Sequence, residues 1–146
     1  MVNIKTRPTP TPTPASKPLN RQGNALPESY VTGRRGELAA KAYLETRGYT
    51  VLAMNYHAGH REIDLIAQTA DRLVFVEVKT RAQNGLVLPQ DAVHRLKQYH
   101  LLRAANTYIL RTNNPLEARF DIICVRKTTG GQIEVTDHIV DAFRQA

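Results

Sequence analysis

Arg61-Glu62-Ile63-Asp64-Leu65-Ile66-Ala67-Gln68-Thr69-Ala70-Asp71-Arg72-Leu73-Val74-Phe75-Val76-Glu77-Val78-Lys79 is the stretch that decides how this chain folds. Two runs rich in β-branched and apolar residues flank the polar Thr69-Ala70-Asp71-Arg72, and the pattern predicts a β-hairpin. Both runs carry charge where a buried strand ordinarily has none. Desolvating a carboxylate is costly unless a partner or a metal compensates. Acids and a lysine gathered in apolar strand sequence therefore mark a candidate functional site.

Side chains alternate along a strand, so Glu62, Asp64 and Ile66 are expected on one face of the first strand. Leu73, Phe75, Glu77, Lys79 and Arg81 share a face of the second. With the turn centred between Ala70 and Asp71, Asp64 falls opposite Glu77 and Glu62 opposite Lys79, at Cβ separations of about 4.5–5.5 Å. Carboxylates that close repel, and a divalent cation removes the repulsion. Mg²⁺ is commonly held by one or two carboxylates together with waters and phosphate oxygens. Lys79 is then placed to neutralise a phosphate or to orient an attacking water. The pattern reads as a metal-dependent phosphodiesterase site. The plainer alternative is a surface ion pair between Glu77 and Lys79 at the end of an edge strand, with Asp64 a turn or strand-end residue.

Around the hairpin, residues 33–47 are expected to form a helix ended by Gly48, with Leu38, Ala39, Ala42 and Tyr43 as its apolar contacts. Residues 49–56 read as a first strand, and 62–68 and 73–80 as the second and third. Pro89 opens a long helix whose predicted core stripe is Ala92, Leu96, Tyr99, Leu102, Ala105 and Ile109. Residues 118–126 and 132–137 are two further strands around Thr129-Gly130-Gly131. The order αβββαββ implies a mixed five-stranded sheet with helices packed on it. Glu37, early in the first helix, is either a carboxylate favoured by the helix N-terminus or a third metal ligand. The long helix carries His94, Arg95, Lys97, His100 and Arg103 against one nearby acid, Asp91. Such a run is ordinarily a solvated face, but Lys97 and Arg103 beside the carboxylates would track a phosphate backbone. His57 and His60 flank Gly59 without thiolates nearby and are read as loop residues.

Composition bounds the rest. The 146 residues suit one domain, 28–146, preceded by a basic Thr/Pro-rich tail, 1–27, that has too little to bury to fold. The tail holds four of the 20 basic residues and none of the 13 acidic ones, so the net charge of +7 falls to +3 without it. Charge alone is a weak argument for nucleic acid. The single cysteine, Cys124, lies in apolar sequence and is expected to be a small buried side chain. Neither a secretory signal nor a membrane span is legible, and a cytoplasmic protein is the expectation.

Gly33-Arg34-Arg35-Gly36-Glu37, Glu62-Ile63-Asp64-Leu65-Ile66-Ala67 and Phe75-Val76-Glu77-Val78-Lys79-Thr80-Arg81 resemble the motifs of the YraN-like family, a widespread bacterial group. The resemblance runs from about Gly33 to Phe143. That family is similar to archaeal Holliday-junction resolvases and has the restriction-endonuclease-like fold, with its PD-(D/E)-x-K signature. The resemblance implies that Asp64, Glu77 and Lys79 match the signature and that Glu37 matches the acid of the first helix. Two departures stand out. Arg61 replaces the glycine that most relatives have before the Glu-Ile-Asp run, and Ile63 replaces the proline of the wider signature.

The combined expectation is a restriction-endonuclease-like α/β nuclease domain that uses Mg²⁺ or Mn²⁺ to hydrolyse DNA phosphodiester bonds, including those of branched or repair intermediates. Asp64, Glu77 and Glu37 are the metal candidates, and Lys79 completes the catalytic set. Arg61, Arg81, Lys97 and Arg103 are the candidate nucleic-acid contacts, and a homodimer is one expectation for assembly. The alternatives are a non-catalytic nucleic-acid-binding module of the same fold acting with a partner protein, and a structural interaction domain.

Overall fold

The computed structural model describes residues 17–81 and 94–144. The Thr-Pro repeat with Lys5 and Arg7, and Pro89, Asp91 and Ala92 of the expected long helix, lie outside the described residues. Seven elements follow in the order α1 (Glu28–Thr46), β1 (Thr50–Ala58), β2 (Arg61–Gln68), β3 (Arg72–Arg81), α2 (Arg95–Thr112), β4 (Glu117–Lys127) and β5 (Ile133–Phe143). The strands form one sheet in the order β1-β2-β3-β4-β5. Among the described residues only β3 and β4 pair in parallel. A parallel neighbour requires a crossover, and the β3–β4 connection that contains α2 provides it.

The two helices cover opposite faces of the sheet. On one, Ala40 and Leu44 of α1 pack with Leu65, Ala67, Val74, Val76, Ile123 and Val125. On the other, Leu101, Ala104 and Ala105 of α2 pack with Ile66, Leu73, Phe75, Phe120, Ile122 and Cys124. The central strands are buried from both sides, which is why β3 reads as an almost unbroken apolar run. Among the described residues no helix is long and apolar enough to cross a membrane.

Both helices differ in detail from the expected pattern. α1 starts at Glu28 rather than at residue 33, and its inward line is Gly36, Ala40 and Leu44, while Leu38 and Ala42 are exposed. Gly36 is the reason for the rotation. A Cβ there would lie 2.9 Å from both Thr80 Oγ1 and Val125 Cγ2, so only glycine permits this approach to β3 and β4. In α2, Ala105 of the predicted stripe is buried and Leu102 and Ile109 pack against the core, but Leu96 and Tyr99 are exposed and Leu101 and Ala104 are buried in their place. The two alanines bring the helix close to the sheet, and Tyr108 fills the flank edge-on against Tyr56 and Phe75.

β5 extends to Phe143, well past the predicted end at residue 137. His138 and Asp141 break its apolar alternation in the sequence, but the His138 ring and the Asp141 backbone N–H both meet the fully buried Asp121 of β4. Asp121 accepts two hydrogen bonds from Arg119, at 2.9 and 2.8 Å, and one from the Asp141 N–H at 3.0 Å, with His138 Nε2 at 2.7 Å. Burial alone would raise its pKa, but the hydrogen bonds from His138, Arg119 and Asp141 outweigh burial and hold it below the usual range.

Candidate functional site

The hairpin pairs as its sequence predicts over four positions, from Gln68↔Leu73 to Leu65↔Val76. Its turn is closed by Thr69 N–H to Arg72 O and by Arg72 N–H to Thr69 Oγ1. The ladder then stops, although both strands continue. Asp64 and Glu77, next in register, are not a ladder pair; Asp64 Oδ2 accepts the Val78 N–H at 2.8 Å in place of a backbone carbonyl. Nor are Glu62 and Lys79 a ladder pair, since the β2–β3 register ends at Leu65↔Val76; on its other side Glu62 pairs with His57 of β1.

A change of face in β1 and β2 produces this break. Met54 and Leu65 pack on the α1 side, whereas Tyr56 and Ile63 pack on the α2 side, although each pair would share a face in a regular strand. Between them Asn55 adopts a left-handed φ of 51°, and no Asn55–Asp64 rung joins the register. The expectation that Glu62, Asp64 and Ile66 share one face is therefore corrected: Ile66 lies under α2, and Asp64 sits at the change of face. Glu37, Glu62 and Asp64 each offer a carboxylate oxygen, and these oxygens lie within 4.8 Å of one another. They line a depression of 230 Å³ with Tyr30, Gly33 and Arg34.

Glu77 stands on the other side of Asp64 and is only 5% exposed. Its Oε1 lies 3.5 Å from Lys79 Nζ and 3.7 Å from Lys97 Nζ. Among the described residues its buried Oε2 has no hydrogen-bond partner. Burial, followed by the charge of Glu77, pushes the Asp64 carboxyl up to about 7. Glu37 is also raised, first by burial and then by the charge of Asp64, while Asn55 and Arg34 act in the opposite direction. Arg34 Nη1 holds Glu37 Oε2 at 3.1 Å and its Nε donates to Tyr30 Oη.

The arrangement brings Glu37, Asp64, Glu77 and Lys79 into one neighbourhood and separates the basic candidates. Lys97 reaches Glu77, whereas Arg103 lies over the exposed Tyr99 ring. The two are six residues apart, roughly 120° around the helix, so they do not form one phosphate-tracking line. Arg61 donates to His100 Nδ1 at 3.2 Å and is turned toward α2. Arg81 lines a separate cleft with Ser29, Thr32, Thr80 and Lys127. Glu62 as a member of the acidic cluster, Asn55 at the change of face, and Lys97 on the Glu77 carboxylate were not legible as such. For the change of face, the sequence signal was an asparagine, which tolerates positive φ, in mid-strand.

Carboxylate oxygens are the donors that hard cations such as Mg²⁺ and Mn²⁺ prefer. The unpartnered buried oxygen of Glu77 and the raised Asp64 both fit a site that gains from a cation. The residues that could hold one are Glu37, Glu62 and Asp64, whose oxygens lie within 4.8 Å of one another, and Glu77 beside Asp64.

The profile of the uncharacterised protein family UPF0102 matches residues 36–125, a span that contains every carboxylate of the cluster. The chain is similar to a UPF0102 protein of Parabacteroides distasonis, 46% identical over 112 residues that cover 76% of this chain and 90% of that one. A UPF0102 protein of Nitratidesulfovibrio vulgaris is 42% identical over 115 residues, covering 78% and 84%. One of Pelobacter propionicus is 38% identical over 125 residues, covering 84% and 89%.

Proposed function

This chain belongs to the uncharacterised protein family UPF0102, and from that premise we propose that it is a metal-dependent nuclease of restriction-endonuclease-like fold that hydrolyses DNA phosphodiester bonds. The observation that carries the reading is the junction of Asp64 and Glu77. Two carboxylates meet at the point where β2 and β3 stop pairing, one with a raised pKa and the other with a buried oxygen lacking a partner. Lys79 follows two residues after Glu77, with its ammonium 3.5 Å from Oε1.

Asp64 and Glu77 hold the cation in this reading, and Glu37 tunes the pair from α1. Mg²⁺ or Mn²⁺, when bound, supplies Lewis-acid stabilisation of phosphoryl oxygens and a water of lowered pKa. Lys79 sets its positive charge where the phosphoryl group gains negative charge, and so stabilises the transition state more than the ground state. Water oxygen bonds to phosphorus as the ester P–O bond breaks, leaving a phosphate monoester and a free hydroxyl once the departing oxygen takes a proton.

The test is a cleavage screen over duplex, single-stranded and branched DNA with Mg²⁺ or Mn²⁺. Lys79→Ala should lower single-turnover cleavage by about 10²-fold or more with little change in DNA binding, as expected for a charge acting in the transition state. Absence of cleavage of every DNA form by the unaltered protein would instead favour a binding module working through a partner.

A further inference from the structure

Lys97 has no place in the reading above, yet it is one of two ammoniums that converge on a single oxygen of Glu77. Lys79 and Lys97 lie 3.5 and 3.7 Å from Oε1, while Oε2 has no hydrogen-bond partner among the described residues. The two cations arrive differently. Lys79 stands two residues from Glu77 on the same strand face, so its position is tied to that of the carboxylate. Lys97 comes from the first turn of α2, across the sheet face, and is 42% exposed. At 3.7 Å its contact is an ion pair beyond hydrogen-bonding distance, and a partly exposed pair of that kind is held weakly.

We propose that Lys97 is a displaceable counter-ion of the metal site, which balances Glu77 in the metal-free protein and withdraws to solvent when a divalent cation takes the carboxylate. The proposal rests on Asp64 and Glu77 being the metal site. Its logic is electrostatic. A buried Glu77 beside Asp64, with Glu37 and Glu62 close by, needs positive charge nearby. A divalent cation arriving at Glu77 is repelled by both ammoniums, and one of them must retreat. Lys79 is fixed to the carboxylate's own strand, whereas Lys97 belongs to another element, makes the longer contact and is the more exposed of the two, at 42% against 33%. Lys97 is thus a positioning residue that keeps the empty notch assembled, at the expense of metal affinity.

The experiment is calorimetric titration of Mn²⁺ into the full chain at pH 8 and low salt, for the parent, Lys97→Met, Lys97→Gln and Lys97→Arg. Thermal melts in EDTA are run on the same samples. Lys97→Met and Lys97→Gln should bind Mn²⁺ about two- to fivefold more tightly, the size expected for one partly exposed charge pair. Their metal-free melting temperatures should fall, because Glu77 loses a counter-ion, and Lys97→Arg should restore both values toward the parent. Equal or weaker Mn²⁺ affinity in the two neutral variants would overturn displacement while leaving the metal site standing. If neither the parent nor any variant binds Mn²⁺, the metal-site reading fails and the counter-ion proposal falls with it.

Discussion

The Asp64 carboxyl accepts the Val78 N–H at 2.8 Å and at the same time lies buried beside the charge of Glu77. Burial and like charge win, and the group titrates near 7 in the folded protein against an ordinary 3.8. Between these pH values the folded chain retains a proton that the unfolded chain has released. Metal-free stability must therefore fall as pH rises from about 4 to about 7 and level off above that. Asp64→Asn should remove most of this slope and leave the protein more stable than the parent at pH 8, by about 1–3 kcal/mol. Glu37, raised in the same direction, leaves a smaller residual slope. Chemical denaturation in EDTA at pH 5 and pH 8 checks this, and an undiminished slope in Asp64→Asn would assign the titration to another group. The acid-rich strand was visible in the sequence because charge in an apolar run is conspicuous. The approach of Glu62 and Glu37 was not, because it depends on the left-handed Asn55 and on the depth at which α1 sits.

At the scale of elements, the hairpin was legible for a simple reason: a polar four-residue turn between apolar runs fixes the register, and the four observed pairs keep it. What alternation could not show was its own interruption at Asn55 and Asp64. Helix faces were less legible. In α1 the apolar Leu38 is exposed because closeness of approach, set by Gly36, decides which face turns inward, and hydrophobic spacing does not show that. Gly36→Ala puts a methyl group 2.9 Å from Val125 Cγ2 and Thr80 Oγ1. It should cost about 1–3 kcal/mol, as overpacking in a tight interface does. Because Glu37 follows directly in the helix, displacement of α1 should also weaken Mn²⁺ binding. Gly33→Ala, which meets nothing within 4 Å, is the control and should stabilise by about 0.5–1 kcal/mol. Equal melting temperatures for the two variants would show that the close approach of α1 is not what Gly36 provides.

Across the whole molecule, the sheet provides two polar centres with opposite characters. Around Asp121 hydrogen bonds hold the carboxylate ionised, and the arrangement pins β5 to β4. At Asp64 and Glu77 the pairing of β2 and β3 ends and buried charge is left only partly compensated. A satisfied network of the first kind contributes to the fold, and an uncompensated one of the second kind is where function is sought. The mixed sheet with helices packed on it could be read from the order of elements, but not that α1 and α2 take opposite faces. The extension of β5 could not, since His138 and Asp141 look like loop residues until Asp121 is placed beneath them. The most direct measurement is X-ray diffraction from a crystal soaked in Mn²⁺ above pH 7, with anomalous difference density calculated near the manganese edge. The expected result is one peak bonded to carboxylate oxygens of both Asp64 and Glu77, and no such peak in an Asp64→Asn crystal treated identically. A saturating soak that leaves the Asp64–Glu77 junction without a peak, or that places manganese away from both carboxylates, would contradict a divalent metal centre at this site.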